Sequence, residues 1–188
     1  MRGTVRSVSN PAKIDPLKEA FGDLFEKLEL KEADLLDEAS MIAACEGSNF
    51  IVHTASPFNM TEKDESKMVK PAVEGTLAVM RAAQKWKVSK VVVTSSCIAA
   101  FDVKDKTKTF FTPEDWSDPD AQSAYGKSKT LAERAAWDFV ADLPEAEKFD
   151  LVCILPGFII GPNLNKAPFT SGNMVKATLN GQSKPMLK

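Results

Sequence analysis

Three short, nearly continuous apolar runs separated by long helical patterns constrain the fold of this chain most. The runs are Phe50–Ser56, Lys90–Ser96 and Phe149–Pro156, and the patterns between them are Glu65–Trp86 and Ser123–Leu143. Strands that are apolar at successive positions are typical of a parallel sheet covered on both faces. Right-handed crossovers make such a sheet doubly wound. The sequence therefore predicts an α/β fold, a doubly wound, Rossmann-like parallel sheet.

The remaining predicted elements lie toward the two ends of the sequence. Strands are expected at Arg2–Arg6 and Leu28–Leu35, and a last helix at Phe169–Leu179. The helix between the two strands is expected to start with Asp15 as its cap and Pro16 at its first position.

Length and charge limit the classes of protein to consider. The chain has 188 residues, enough for one domain with a sizeable core. Its 24 basic and 26 acidic residues nearly cancel, whereas a nucleic-acid-binding surface needs a basic stripe. The longest apolar runs are much shorter than a membrane span. We therefore expect neither a nucleic-acid nor a membrane partner.

Cysteine and histidine usage indicates a reducing compartment. Cys45, Cys97 and Cys153 are far apart, with no C-x-x-C pair, and His53 is the one histidine. This pattern does not fit a disulfide scaffold or a structural zinc site, so no metal is expected. With no apolar signal segment at the N-terminus, we expect a cytoplasmic protein. Cys97 and His53 are both expected to be core residues.

Small and polar residues follow the apolar runs, where the strands end. They are Thr54–Ser56, Thr94–Ser96 and Pro156–Gly157. Ligands of open parallel sheets bind beyond the carboxyl ends of the strands, so these residues are expected to border a ligand site.

The single tyrosine of the chain, Tyr125, lies in the segment SAYGKSK, with Lys129 four residues later. On a helix these two side chains share a face. An ammonium group near a phenol lowers the tyrosine pKa, so the phenol can exchange a proton with a carbonyl or alcohol oxygen. A Y-x-x-x-K spacing alone is more typical of a surface pair than of a catalytic one. The hydroxyls of Thr94–Ser96 at the same sheet edge favour a site for a carbonyl group.

Together these segments resemble an extended short-chain dehydrogenase/reductase of the dihydroflavonol-reductase/cinnamoyl-CoA-reductase group, within the NAD-dependent epimerase/dehydratase superfamily. The resemblance covers nearly the whole chain and rests on motifs in order. They are MRGTVRS, EADLLDE, IVHTASPF, DESKMVKPAVEGTLAVM, VVVTSSCIAAF, WSDPD, SAYGKSKTLAERAAW and ILPGFIIGP.

The resemblance implies roles for individual residues. Ser96 would hydrogen-bond the substrate carbonyl, Tyr125 would be the general acid/base, and Lys129 would bind the nicotinamide ribose and tune Tyr125. The remaining residues that match the cofactor-binding pattern are Arg6 and Lys13 for the adenosine 2′-phosphate, Asp34 and Leu35 flanking the adenine, Thr54, Ala55 and Ser56 under the nucleotide, and Pro156 and Gly157 near the nicotinamide.

Arg6 favours NADP over NAD as the cofactor. It ends the strand at which an NAD enzyme usually offers a carboxylate to the ribose 2′-hydroxyl, and a cation suits a 2′-phosphate instead. A solvated arginine at a strand end is the alternative. In dihydroflavonol reductases the fifth residue after the catalytic serine is an asparagine that contacts flavonoid hydroxyls. Here that position is Phe101, so an apolar or aromatic carbonyl substrate is expected.

The sequence departs from the family pattern in two places, and both concern how much of the family's domain it contains. The sequence contains nothing like G-x-x-G-x-x-G, which family members place in a first strand-turn-helix unit before the segment that matches Met1. It also ends before the part that completes the substrate pocket in the family. We therefore expect residues 1–188 to be a fragment, a partial NAD(P)-binding Rossmann-like domain without its first strand-helix unit and its C-terminal substrate part.

Three functions remain open at this point. The first is an NADP-dependent oxidoreductase that reduces a small aldehyde or ketone, or oxidises the alcohol, at a Ser/Tyr/Lys site. A nucleotide-sugar epimerase or dehydratase shares the fold and the SAYGKSK-like motif, but Arg6 disfavours it because that group typically uses NAD. The third is a catalytically silent, truncated binding domain.

Overall fold

The fold is an alternation of strands and helices. A computed structural model describes residues 1–57, 62–101, 107–161 and 170–182. The elements of the described residues are β1 (Arg2–Val5), α1 (Pro11–Phe21), β2 (Glu29–Glu32), α2 (Glu38–Ala44), β3 (Phe50–His53), α3 (Glu65–Trp86), β4 (Lys90–Thr94), α4 (Ala124–Asp142), β5 (Asp150–Ile154) and α5 (Thr170–Leu179). They belong to two compact units, one formed by Met1–Lys31 with Phe158–Lys188 and the other by Glu32–Gly157.

In the first unit, β1 and β2 form a two-stranded sheet. The helix α1 begins at Pro11, and its cap is Asn10, whose side chain accepts a hydrogen bond from the Ala12 backbone N–H at 3.0 Å. The expected start at Asp15 and Pro16 is therefore wrong. Asn10-Pro11 and Asp15-Pro16 both have the cap-and-proline pattern, and the helix uses the earlier pair, which leaves Pro16 inside it.

The second unit contains a parallel sheet in the order β3-β4-β5, with Val52, Val92 and Val152 in register. Helices α3 and α4 pack together, and the core between them and the sheet includes Met80 from α3 and Val91 from β4. The predicted parallel α/β architecture is confirmed.

One face of this sheet carries exposed apolar residues. Phe50 is 69% exposed, Val52 68% and Ile154 51%. This face is not covered in the described part of the unit, because α3 and α4 pack on the opposite face of the sheet, against residues such as Val91 and Val93. Among the described residues, β1 pairs with β2 and β3 with β4, and no strand joins the two sheets.

The long helices begin where local side chains cap them. Asp64 accepts from the Ser66 backbone N–H at 3.0 Å at the start of α3, and Ser123 accepts from the Gly126 N–H at 3.2 Å at the start of α4. The predicted helix at Glu65–Trp86 is confirmed residue for residue. The last predicted helix begins at Phe169, which lies outside the described residues.

Strand ends are less well predicted than helix ends. The expected strand Leu28–Leu35 is limited to Glu29–Glu32, because the Asp34 carboxylate accepts a hydrogen bond from the Leu36 N–H at 2.9 Å and turns the chain. Cys97 is exposed, contrary to the expected core position, because it lies beyond β4 where the chain leaves the sheet.

No helix in the described ranges is both long enough and apolar enough to cross a membrane.

Candidate active site

The carboxyl ends of β4 and β5 lie side by side and are joined by backbone hydrogen bonds. The Ser95 N–H donates to the Ile154 carbonyl at 2.9 Å, and the Cys97 N–H donates to the Pro156 carbonyl at 3.0 Å. Ser96 is held between these two contacts, and its side chain caps a short 3-10 turn by accepting from the Ile98 N–H at 3.4 Å. The sheet edge thereby fixes the backbone on both sides of the predicted catalytic serine.

Helix α4 brings Tyr125 and Lys129 to this edge. The Tyr125 hydroxyl is half-buried and forms a hydrogen bond with the Ser96 side chain. The Lys129 ammonium is buried and donates to the Thr94 carbonyl at 3.1 Å. The three residues predicted to be catalytic thus gather around the end of β4.

The electrostatics of Tyr125 differ from the sequence expectation. Burial raises the pKa of the phenol, and the hydrogen bond with Ser96 only partly offsets this effect. The expected lowering of the Tyr125 pKa by Lys129 is therefore wrong, because the ammonium is directed to the Thr94 carbonyl. A tyrosine in this state keeps its proton at neutral pH and can donate it.

Lys129 and His53 share a buried polar region under the sheet edge. Burial lowers the pKa of Lys129, and the negative charge of Glu133 partly restores it. Burial, with a smaller contribution from Lys129, lowers the pKa of His53 to about 4. The His53 Nε2 lies 3.5 Å from the Thr76 hydroxyl, so His53 is a buried, neutral residue at physiological pH.

The loop after Ser96 is anchored by polar side chains that the sequence interpretation did not assign. The Ile98 carbonyl accepts from the Ser117 hydroxyl at 2.8 Å and from Gln122 Nε2 at 2.7 Å. Ser117 is fully buried, and Gln122 accepts in turn from the Thr130 hydroxyl at 2.9 Å. A signal for this role was present, since Ser117 belongs to the motif WSDPD.

Two of the residues predicted to lie under a nucleotide, Ala55 and Ser56, are brought next to Lys129. Both line a small cavity of about 10 Å³ that Thr94 and Lys129 also line. Thr54 is exposed just beyond β3. This part of the predicted cofactor site therefore forms a contiguous surface at the sheet edge.

Asp34 and Leu35, which were predicted to flank the adenine, contact other parts of the chain. The Asp34 carboxylate is occupied in its own turn, and the Leu35 side chain packs on α3. A Cβ atom at Gly75 would lie 2.6 Å from Leu35 Cδ2, so glycine is required at that position for the two elements to approach. In the first unit, Arg6 and Lys13 are exposed, Arg6 just after β1 and Lys13 on α1.

Glu133 is a further residue near the site that sequence reasoning missed. It is only 5% exposed and lines the same small cavity as Lys129. Its sequence signal is the repeat of the four-residue spacing, which extends Y-x-x-x-K to a glutamate one turn later on α4.

A family profile and several known proteins match most of this chain. A profile of the 3-beta hydroxysteroid dehydrogenase/isomerase family matches residues 8–185. Cinnamoyl-CoA reductase CAD2 of Medicago truncatula is 37% identical, with 96% of this chain and 56% of that protein aligned. Dihydroflavonol 4-reductase of Arabidopsis thaliana is 34% identical, with 86% of this chain and 43% of that protein aligned.

A solved structure of the yeast methylglyoxal/isovaleraldehyde reductase Gre2 complexed with NADPH superimposes with a TM-score of 0.71 at 29% identity. The superposition covers 86% of this chain and 52% of the yeast chain. The chain spans about half the length of the curated relatives it matches. The likeness confirms the predicted Rossmann-like fold.

Proposed function

Because the chain belongs to the 3-beta hydroxysteroid dehydrogenase/isomerase family, we propose that it carries the catalytic residues of an NADP-dependent reductase of small aldehydes or ketones. The family resemblance stated from the sequence is confirmed by the matched relatives. The observation that carries the proposal is the meeting of Ser96, Tyr125 and Lys129 at the end of β4. On this proposal, residues 1–188 are part of a cytoplasmic NAD(P)-binding domain.

The proposed chemistry follows from the state of each side chain. Tyr125 keeps its proton and donates it to the carbonyl oxygen, while the Ser96 hydroxyl hydrogen-bonds the same oxygen. Lys129 places a positive charge at the end of β4. A bound NADPH supplies the hydride for the carbonyl carbon. In the opposite direction, the Tyr125 phenolate that remains after proton donation accepts the proton of the alcohol.

The residues at the sheet edge fit a nicotinamide nucleotide. The Lys129 ammonium has three N–H donors, one of which donates to the Thr94 carbonyl. Within the described ranges Nζ makes no second hydrogen bond. The remaining donors suit the hydroxyls of a ribose. By the family pattern, Thr54, Ala55 and Ser56 would lie under the nucleotide and Pro156 near the nicotinamide.

Arg6 and Lys13 are proposed to hold the 2′-phosphate, which gives a testable cofactor preference. Arg6→Asp should weaken NADPH binding about 10-fold and improve NADH binding, because a carboxylate repels the phosphate but accepts from a 2′-hydroxyl. Fluorescence titration with both cofactors measures the change. Lys18→Asp, on the neighbouring helix α1, is the control and should alter neither affinity. Equal losses for NADPH and NADH with Arg6→Asp would make Arg6 structural.

Phe101 is proposed to favour apolar or aromatic carbonyl substrates. Its ring contacts Phe111 edge to face, with the centroids 5.2 Å apart, and it is 43% exposed. An aromatic ring offers contact area but no hydrogen bond to a polyhydroxylated substrate. We expect a higher kcat/KM for an aromatic aldehyde than for dihydroquercetin. Phe101→Asn should reduce the ratio of these two kcat/KM values. Efficient reduction of dihydroquercetin by the unchanged protein would contradict this preference.

Cofactor titration also separates the three functions considered from the sequence. Preferential NADPH binding supports the reductase. Preferential NADH binding supports an epimerase or dehydratase, and binding of neither cofactor, even with a glycine-rich unit supplied before Met1, supports a silent domain.

A further inference from the structure

The small cavity under the sheet edge is lined by polar side chains from four elements or their ends. Its lining residues with polar side chains are His53, Ser56, Thr76, Thr94, Ser95, Lys129 and Glu133. Two of them, Lys129 and Glu133, carry opposite charges one helical turn apart on α4. Both are more than nine-tenths buried, at 8% and 5% exposure.

Glu133 is only partly satisfied in this buried position. Its Oε1 accepts a long hydrogen bond from Trp137 Nε1 at 3.4 Å. Its Oε2 is fully buried and has no hydrogen-bond partner among the described residues. Burying a carboxylate oxygen without a partner is costly, so a compensating charge nearby is needed to retain it.

The other titratable groups that face this pair do not supply that charge. His53 from β3 has a pKa of about 4 and is neutral at physiological pH. Cys153 from β5 has its pKa raised to about 12, by burial first and then by the charge of Glu133 and a hydrogen bond with its side chain, and stays a thiol that supplies a donor but no charge. Tyr125 on α4 keeps its proton. Among the described residues lining the cavity, Lys129 is therefore the one cation opposite Glu133.

We propose that Glu133 is a positioning residue of this site, whose buried carboxylate in the same cavity keeps Lys129 a cation beside the end of β4. The inference rests on the proposed function for its catalytic meaning. The ammonium is desolvated, and desolvation favours its neutral form. A fixed negative charge one helical turn away opposes that effect, so Lys129 remains a cation that can bind a ribose and act beside Tyr125.

The test is a pH titration of Lys129 in the full chain, monitored by NMR through its side-chain ¹³Cε signal. That signal is assigned as the one that disappears in Lys129→Arg. Glu133→Gln keeps the shape of the side chain but removes its charge. In this variant we expect the midpoint of the Lys129 titration to move to lower pH. Glu133→Asp keeps a carboxylate, so the midpoint of the Lys129 titration should lie close to that of the unchanged chain. Asp138→Asn removes an exposed charge from the same helix and should leave it unchanged. A Lys129 midpoint that does not move in Glu133→Gln would overturn the proposal.

A second measurement needs no variant that could fail to fold. In the unchanged chain, the ¹³Cδ signal of Glu133 should shift as Lys129 loses its proton, and a Glu133 signal that is silent through that step contradicts the coupling. Both readouts are independent of turnover. A reductase assay on the same variants, expected to show up to about 10²-fold lower kcat for Glu133→Gln, tests the proposed function separately.

Discussion

Replacing Tyr125 by phenylalanine should reduce turnover by about 10²–10⁴-fold and leave NADPH affinity nearly unchanged. The phenol is the group proposed to donate the proton, and its pKa is raised, so no other form of the residue performs this step at neutral pH. Phenylalanine keeps the ring in place on α4 and removes only the hydroxyl that bonds Ser96. The loss should therefore appear in kcat and not in the dissociation constant of the cofactor.

The assay is steady-state reduction of an aromatic aldehyde by a fusion that places a glycine-rich strand-turn-helix unit of the family before Met1. Lys127→Met is the matched control. Lys127 is on the same helix, but its ammonium pairs with Glu65 and Asp120 at 3.0 Å each, away from the catalytic hydroxyls. Its turnover should stay near that of the unchanged fusion. A near-normal kcat for Tyr125→Phe would remove Tyr125 from the proposed mechanism.

NADPH affinity should be at least about 10²-fold weaker for residues 1–188 alone than for that fusion. The 188 residues contain no glycine-rich turn, and such a turn with its helix N-terminus supplies the backbone N–H donors for a pyrophosphate. Each hydrogen bond to a charged group contributes about 1.5–3 kcal/mol, so two missing donors already account for a difference of this size. Exposed Arg6 and Lys13 can attract the phosphates but do not replace those donors.

Calorimetric titration of both proteins with NADPH measures this difference. A fusion in which the motif glycines are replaced by alanine is the control and should bind as weakly as residues 1–188. Tight, saturable NADPH binding by the 188 residues alone would show that the missing motif is not needed for the cofactor.

Helix α3 could be predicted accurately because its signals are local. The apolar spacing continues from Met68 to Ala83, and Asp64 stands at the capping position immediately before the first turn. The start of α1 could not be predicted in the same way, because two cap-and-proline pairs compete within seven residues. The choice of Asn10 over Asp15 depends on where the chain leaves β1, which no short window of sequence contains.

That Ser96, Tyr125 and Lys129 lie together at one sheet edge could be predicted, but their electrostatics could not. Spacing places Tyr125 and Lys129 on one helical face, which led to the expectation of a lowered tyrosine pKa. Burial dominates instead and raises the pKa of Tyr125. The importance of Glu133 was equally hidden, because its isolation from water depends on how α4 packs against the sheet.

If the site formed by Ser96, Tyr125 and Lys129 supports hydride transfer from NADPH to a carbonyl group, deuterium on the nicotinamide must appear in the alcohol. The fusion is mixed with NADPH that carries deuterium at both C4 positions of the nicotinamide and with an aromatic aldehyde, and the product is analysed by mass spectrometry. We expect alcohol with one deuterium on the former carbonyl carbon from the unchanged fusion, and almost none from Tyr125→Phe in the same time. Unlabelled alcohol, or equal labelling by both proteins, would contradict this expectation.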